Sequence, residues 1–97
     1  MQTERVTDTY VAQNGMEFIF AFERKSDDQH TIHILDQPDY AGRNTNPHIT
    51  HRLSGGDGFT VCWTGPLPTI EEAKRRAGLW ADYTARYIQT GEPFPNS

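Results

Sequence analysis

The sequence predicts a single α+β domain: an antiparallel five-stranded β-meander with one C-terminal amphipathic helix packed on one face. Three observations support this prediction. Apolar residues recur at steps of three and four between positions 70 and 90, as they do along one face of a helix. Five shorter segments with strand-like composition come before it, separated by turn residues. The length of 97 residues suffices for one modest core and not for two.

The helix is predicted over residues 70–90, with a tail at 91–97. Thr69 followed by Glu72 is the pattern of a capping box, and Gly91 is placed to end the helix in a left-handed conformation. The predicted apolar face consists of Ile70, Ala73, Ala77, Trp80, Ala81, Thr84, Tyr87 and Ile88. The predicted solvent face carries ion pairs four residues apart, namely Glu71 with Arg75, Glu72 with Arg76, and Asp82 with Arg86.

The strands are predicted at residues 4–12, 16–24, 30–35, 48–53 and 59–63. Asn14-Gly15 is a strong hairpin signal, and a two-residue turn there pairs Val11 with Phe18. Three phenylalanines at alternate positions of the second strand make one of its faces aromatic, and we expect the helix to pack there. The strand order stays open, because a meander and a sheet with one swapped strand share this pattern.

Charge and composition disfavour several classes of function. The chain has 13 acidic and 9 basic residues, a net charge of -4, whereas nucleic-acid binding depends on clustered Lys and Arg. The one basic cluster, Lys74-Arg75-Arg76, is expected to be a solvated helix face. The longest apolar run, residues 18–22, is too short to span a membrane, and we expect no signal peptide. A single cysteine fits a reducing compartment, so we expect a cytoplasmic protein.

Residues 36–47 have no periodicity and are predicted to form a long loop. A loop of this length without secondary structure is often a binding loop, and its mixture of Tyr, Arg and Asn is typical of recognition surfaces. The predicted partner-binding residues are Asp39, Tyr40, Arg43, Asn44 and Asn46. The tail around Phe94 has two interpretations, a loosely ordered terminus or a segment that folds back on the domain.

The candidate catalytic residues are Cys62, His48 and His51. If Leu53 pairs with Phe59, His48 lies diagonally across from Cys62 in the sheet, whereas a shift by one residue brings His51 beside it. A thiol beside a histidine is more easily deprotonated and can act as a nucleophile. The other interpretation is that Cys62 is a small buried apolar residue.

A short pattern around this cysteine resembles the core of the ubiquitin-conjugating enzymes. It consists of Asn46-Pro47-His48-Ile49, a glycine turn, Cys62, and then a helix that contains Trp80. The resemblance implies thioester chemistry at Cys62. The chain has no helix before its sheet and only a short link from Cys62 to its helix, so we assign no family.

No metal site and no cofactor are predicted. The four histidines form two pairs with His-x-x-His spacing, His30 with His33 and His48 with His51. On a strand, this spacing directs the two rings of each pair to opposite faces of the sheet. Trp63 alternates with Val61 and Phe59 and is therefore expected in the core.

These patterns lead to two functional hypotheses. The first is a protein-interaction module, of phage or mobile-element origin, that acts as an inhibitor or adaptor by binding a protein partner. Homodimerisation through an open sheet edge is its secondary prediction. The alternative is a cysteine-dependent enzyme or thioester carrier that uses Cys62, with His48 or His51 as the base. The first hypothesis is favoured because no catalytic constellation stands out in the sequence.

Overall fold

The computed structural model describes residues 5–55, 58–63 and 65–95, which contain one five-stranded antiparallel sheet and a long C-terminal helix on one of its faces. The elements are β1 (Arg5–Val11), β2 (Glu17–Arg24), β3 (His30–Asp36), α1 (Pro47–Thr50), β4 (Arg52–Gly55), β5 (Gly58–Val61) and α2 (Ile70–Thr90). The predicted α+β class, with five strands and a C-terminal helix, is confirmed.

The strands are ordered β1-β2-β3-β5-β4 across the sheet, so β5 lies between β3 and β4. The sheet is therefore the form with one swapped strand and not an unbroken meander. The chain leaves β3, runs through residues 37–51, and returns to the edge as β4. This longer connection allows β5 to pair with β3 on one side and with β4 on the other.

The predicted strand at residues 48–53 is wrong in its first half, where the chain forms the short helix α1. The Asn46 amide oxygen accepts from the backbone N–H of His48 at 2.9 Å, and Pro47 occupies the first helical position. Both are start signals for a helix, because Asn caps the free N–H groups and Pro needs no hydrogen bond there. His51 then adopts a left-handed conformation with φ of 53°, and β4 begins at Arg52.

Both predicted hairpin registers are off by one residue. Val11 pairs with Glu17 and Tyr10 with Phe18, because the turn spans more than the two residues Asn14-Gly15. The backbone N–H of Ala12 donates to the Met16 carbonyl at 2.8 Å across this longer loop.

In the second hairpin, Leu53 pairs with Thr60, and Ser54 pairs with Phe59. The predicted pairing of Leu53 with Phe59 is therefore wrong. A slip of one residue moves a side chain to the other face of the sheet. Leu53 lies on the uncovered face as a result, with 49 % of its surface exposed.

The core forms where the aromatic face of β2 meets α2, as predicted. Phe18, Phe20 and Phe22 are all buried. The Trp80 ring stands nearly perpendicular to those of Phe18 and Phe20, with centroid distances of 5.8 and 6.0 Å. The Trp80 indole N–H donates to the Thr50 carbonyl at 2.9 Å, so this buried donor is satisfied. Trp80 thereby links α2 both to the sheet and to α1.

The predicted ends of α2 are confirmed. The Thr69 hydroxyl accepts from the backbone N–H of Glu72 at 3.1 Å. At the other end, Gly91 has φ of 81°, and its N–H donates to the Tyr87 carbonyl at 2.8 Å. The Arg43 guanidinium adds a bond from Nε to the Ile88 carbonyl at 2.9 Å. A cation at this end also suits the partial negative charge of the helix dipole.

The predicted ion pairs along α2 differ from those observed. Glu72 pairs with Arg75, three residues away, at 2.8 Å, and Arg86 pairs with Glu92 of the tail. Asp82 faces β1 and accepts from the Tyr10 hydroxyl at 2.9 Å. Asp82 therefore connects α2 to β1, and Arg86 connects it to the tail. The i,i+4 spacing predicted neither contact.

The second face of the sheet is not covered by any helix within the described residues. Leu35 and Leu53 lie on it, half exposed. In the described part of the chain, neither helix is long and apolar enough to cross a membrane.

Candidate functional site

A groove lies between the end of β5, the middle of α2 and the C-terminal tail; we call it the Trp63 groove. Its volume is about 480 Å³. It is lined by His51, Val61, Cys62, Trp63, Arg76, Leu79, Trp80, Tyr83, Phe94 and Pro95. Most of these side chains are apolar or aromatic. This composition resembles that of ligand and peptide sites, which combine apolar walls with few polar groups.

Trp63 forms one side of the groove, and its predicted place in the core is wrong. β5 ends at Val61, so Trp63 lies beyond the sheet and keeps 40 % of its surface exposed. The Arg76 guanidinium lies over the indole, 4.1 Å from the ring centroid. This cation–π contact holds a large aromatic surface and a positive charge side by side at the protein surface.

Leu79 is the second exposed apolar side chain of the groove, also 40 % exposed. It lies off the predicted apolar face of α2 and borders a second depression of about 420 Å³. Leu79 and Tyr83 line both depressions, so together they form a ridge between them. The far side of the second depression contains Asn14 and Gln89. A continuous surface therefore runs along α2 from Trp63 towards the β1–β2 turn.

The tail folds back and closes one end of the Trp63 groove. Phe94 is only 9 % exposed. Its ring stacks on His51 with a centroid distance of 4.5 Å and an angle of 12° between the planes. It also packs against Tyr83 at 5.4 Å. The interpretation of the tail as a segment packed on the domain is therefore the correct one for Phe94.

Of the three candidate catalytic residues, the groove brings together Cys62 and His51. Cys62 is partly buried, and its backbone N–H donates to the His51 carbonyl at 2.9 Å. His48 is exposed on α1 and does not line the groove. The predicted diagonal pairing of His48 with Cys62 is wrong, because α1 replaces the strand that the pairing required.

The predicted binding loop uses its side chains largely for contacts within the chain. Tyr40 is 6 % exposed and packs against Tyr87, with the Arg52 guanidinium 4.8 Å from its ring centroid. Burial raises the pKa of the Tyr40 hydroxyl. Arg43 caps α2 as described above.

The remaining three residues of that prediction also make local contacts. Asn46 caps α1. The Asn44 side chain accepts from the backbone N–H of Asn46 at 2.9 Å, and the Asp39 carboxylate accepts from that of Ala41 at 2.9 Å. The loop is thus organised by its own side chains, and the part they play in partner binding stays a prediction.

A histidine–carboxylate pair that is not among the predicted site residues lies on the uncovered face of the sheet. His33 Nε2 is 2.6 Å from the Glu23 carboxylate. The hydrogen bond from His33 lowers the pKa of Glu23 below its ordinary value, because it favours the charged carboxylate. Alternation along β2 and β3 would have indicated that both side chains point to this face. Among the described residues, no group of three His, Cys, Asp or Glu side chains is arranged to hold a metal ion.

Two signals in the sequence point to the Trp63 groove. Trp63 is followed by Gly65, Pro66 and Pro68, and residues of this kind end a strand and leave the aromatic ring at its boundary. Leu79 is a large apolar residue outside the apolar stripe of an amphipathic helix. The proximity of Arg76 to Trp63 has no counterpart in a local pattern, since it depends on how α2 crosses the sheet.

No known protein family, curated protein or solved structure matches this chain.

Proposed function

We propose that this protein is a protein-interaction module that binds its partner through the Trp63 groove. The observation that carries the proposal is the exposed pair Trp63 and Leu79 beside Arg76, in one groove of defined volume. Trp and Arg are enriched among the residues that dominate binding energy at protein interfaces, and they act best in pockets that exclude water. This surface replaces the loop at residues 36–47 as the principal contact.

The proposal also includes the location and the origin of the protein. A single cysteine and no disulfide suit the cytoplasm, where we place the module. The small size suits an inhibitor or adaptor of phage or mobile-element origin, which needs one binding surface and no catalytic centre.

Peptide display tests the proposal directly. A library of random peptides is selected on the immobilised wild-type protein. The recovered peptides are then measured against Leu79→Lys and Leu53→Lys. Both leucines are about half exposed, but Leu79 lines the groove, whereas Leu53 lies on the uncovered face of the sheet. We expect Leu79→Lys to weaken binding at least about tenfold, because a lysine desolvated against the apolar wall costs more than 1 kcal/mol.

The matched control distinguishes binding in the groove from nonspecific binding to exposed apolar side chains. Leu53→Lys is expected to leave affinity unchanged, and thermal unfolding of both variants should match that of the wild type. Peptides that bind both variants as tightly as the wild type would show that the groove is not the contact surface. An independent measurement is the alkylation of Cys62, which a bound peptide should slow because Cys62 lines the groove.

The cysteine-dependent activity is the second candidate, favoured by the shared location of Cys62 and His51 in the groove. The alkylation rate of Cys62 without a peptide, measured from pH 5 to pH 9, tests it. An activated thiol reacts well below the ordinary pKa of about 8.5 for cysteine, whereas a thiol that only fills space reacts slowly until the protein is denatured.

A further inference from the structure

In the basic cluster Lys74-Arg75-Arg76 of α2, Arg76 is the residue that forms no ion pair with a carboxylate of the described residues. Lys74 pairs with Asp8 at 3.4 Å, and Arg75 pairs with Glu72 at 2.8 Å. The Nε atom of Arg76 is buried, with no hydrogen-bond partner in the described part of the chain. A buried donor without a partner is costly, and nothing within the described residues offsets that cost for Arg76.

The contact of Arg76 with Trp63 does not occupy its hydrogen-bond donors. The guanidinium carbon lies 4.1 Å from the centroid of the Trp63 ring, a contact that uses none of the N–H groups as hydrogen-bond donors. A guanidinium binds a carboxylate through those in-plane donors, often with two parallel hydrogen bonds. The stack on Trp63 therefore fixes Arg76 in place without using the donors that bind an anion.

The groove is locally positive in an acidic protein. The net charge of the chain is -4, yet among the described residues that line the groove none carries a carboxylate. Arg76 is permanently charged, and it is the one Lys or Arg among the described residues that line the groove. Of the acidic residues on α2, Glu72 pairs with Arg75, and Asp82 accepts from the Tyr10 hydroxyl. The charge of the groove thus complements a negatively charged occupant.

The surface around Arg76 extends beyond the Trp63 groove in one direction. Phe94 and Pro95 close one end of the Trp63 groove. Beyond the ridge of Leu79 and Tyr83, the second depression continues the surface along α2. A chain that contacts Arg76 can therefore place its next residues against Leu79 and Tyr83. A segment with an acidic side chain next to an apolar one therefore matches the order of contacts along α2.

We infer that the Trp63 groove takes an extended segment of a protein partner in which an Asp or Glu lies next to a large apolar residue. Arg76 binds the carboxylate, and Leu79 with Tyr83 contacts the apolar side chain. This inference rests on the proposed function, because it names the chemistry of the segment that the groove binds.

The test compares pairs of blocked peptides derived from the display selection. Each pair is identical except that the Glu of one member is replaced with Gln in the other. On the wild-type protein we expect the Glu peptide to bind about tenfold more tightly or better, the usual effect of a charge-assisted hydrogen bond. Arg76→Gln should abolish this preference. Arg76→Lys should keep only part of it, because lysine has the charge but not the paired donors.

Arg75→Gln is the matched control, since Arg75 is the adjacent residue but is already paired with Glu72 on the solvent side. It should keep the full preference for the Glu peptide. Equal affinity of both peptides for the wild type, or equal loss in the Arg75 and Arg76 variants, would overturn the inference.

The outcomes of the inference and of the proposed function can be told apart. Peptides that depend on Leu79 but show no preference for Glu overturn the carboxylate contact and leave the groove as the binding surface. A selection that recovers no peptide dependent on Leu79 overturns both. Each selected peptide is also measured with an unblocked C-terminus, and binding that requires the free terminal carboxylate would overturn the inference, since the groove would then recognise a chain end and not an internal acidic residue. Thermal unfolding confirms that each variant is folded.

Discussion

Two fully buried threonines, Thr84 and Thr50, differ in how their hydroxyl groups are satisfied. The Thr50 hydroxyl donates to the Asn46 carbonyl at 3.3 Å. The Thr84 hydroxyl lies on the face of α2 that contacts the core and has no partner within the described residues. A buried hydroxyl that makes no hydrogen bond loses its hydration and gains nothing in return.

We therefore expect Thr84→Val to stabilise the protein by about 1 kcal/mol, because the methyl group fills the same volume without a desolvation penalty. Val and Thr have similar helix propensities, so the backbone contributes little to the difference. Thr50→Val should destabilise it by about 1 kcal/mol, since it removes a made hydrogen bond. Urea unfolding of both variants measures the two changes. A loss of stability in Thr84→Val equal to that in Thr50→Val would contradict the explanation.

The Glu23–His33 pair makes a contribution to stability that depends on pH. The carboxyl of Glu23 holds a proton less tightly in the folded chain than in the unfolded chain, because its pKa is lowered by the bond to His33. The unfolded state thus binds more protons below about pH 4.5, and stability must fall as the pH drops through the folded pKa.

Glu23→Gln is expected to remove this contribution, which is about 0.5 kcal/mol above the ordinary pKa of Glu. The free energy of unfolding of the variant should therefore fall less steeply at acidic pH. Urea unfolding at several values from pH 3 to pH 7 measures it. Glu17→Gln is the control, because Glu17 lies on the same strand and the same face but is exposed. Similar curves for the two variants would show that His33 does not stabilise the charged carboxylate.

At the scale of a single element, α2 depends on the way it ends. Gly91 has a positive φ of 81°, a conformation that residues with a Cβ adopt only at a cost. A Cβ at this position would also lie 2.7 Å from Nη1 of Arg43, whose Nε donates to the Ile88 carbonyl. Both the positive φ and the closeness of Arg43 therefore favour glycine at position 91.

Gly91→Ala is expected to destabilise the protein by about 2 kcal/mol. Gly55→Ala serves as the control, since its φ is not positive and nothing lies within 4 Å of the added Cβ. Its effect should stay below about 0.5 kcal/mol. Thermal and urea unfolding of the two variants give the comparison. Equal effects would mean that the left-handed cap contributes little to the stability of α2.

At the scale of the whole molecule, the sheet has two open edges, β1 and β4. β1 is the longer edge, and most of its residues are exposed. An exposed edge is a template for pairing with another chain, so homodimerisation through β1 stays a prediction. Asp8, the middle residue of β1, opposes it, because symmetric pairing centred there brings two carboxylates together.

We expect dimerisation of the wild type to be weak and Asp8→Asn to strengthen it. Sedimentation equilibrium over a range of concentrations measures both. The variant also loses the ion pair with Lys74, but such exposed pairs contribute little to stability. A mass of one chain for both proteins at the highest concentration would exclude pairing through this edge.

Local patterns in the sequence were sufficient to predict the class of fold and the boundaries of α2. The hydroxyl of Thr69 and the glycine after the last turn act on neighbours within a few residues. The alternation of the phenylalanines in β2 is also a local pattern, although the residues they pack against are distant in the chain. Helix α1 also has local causes, Asn46 and Pro47, but these were outweighed in the prediction by the strand-like composition of residues 48–53.

The strand order, the hairpin registers and the Trp63 groove depend on contacts between distant residues. β5 reaches its place between β3 and β4 because the chain from residue 37 to residue 51 is long enough to cross to the edge. Trp63 remains exposed because β5 ends two residues before it, and α2 crosses the sheet where Arg76 can cover the indole. No local sequence pattern predicts the contact between Trp63 and Arg76, because the packing of α2 on the aromatic face of β2 sets the distance between them.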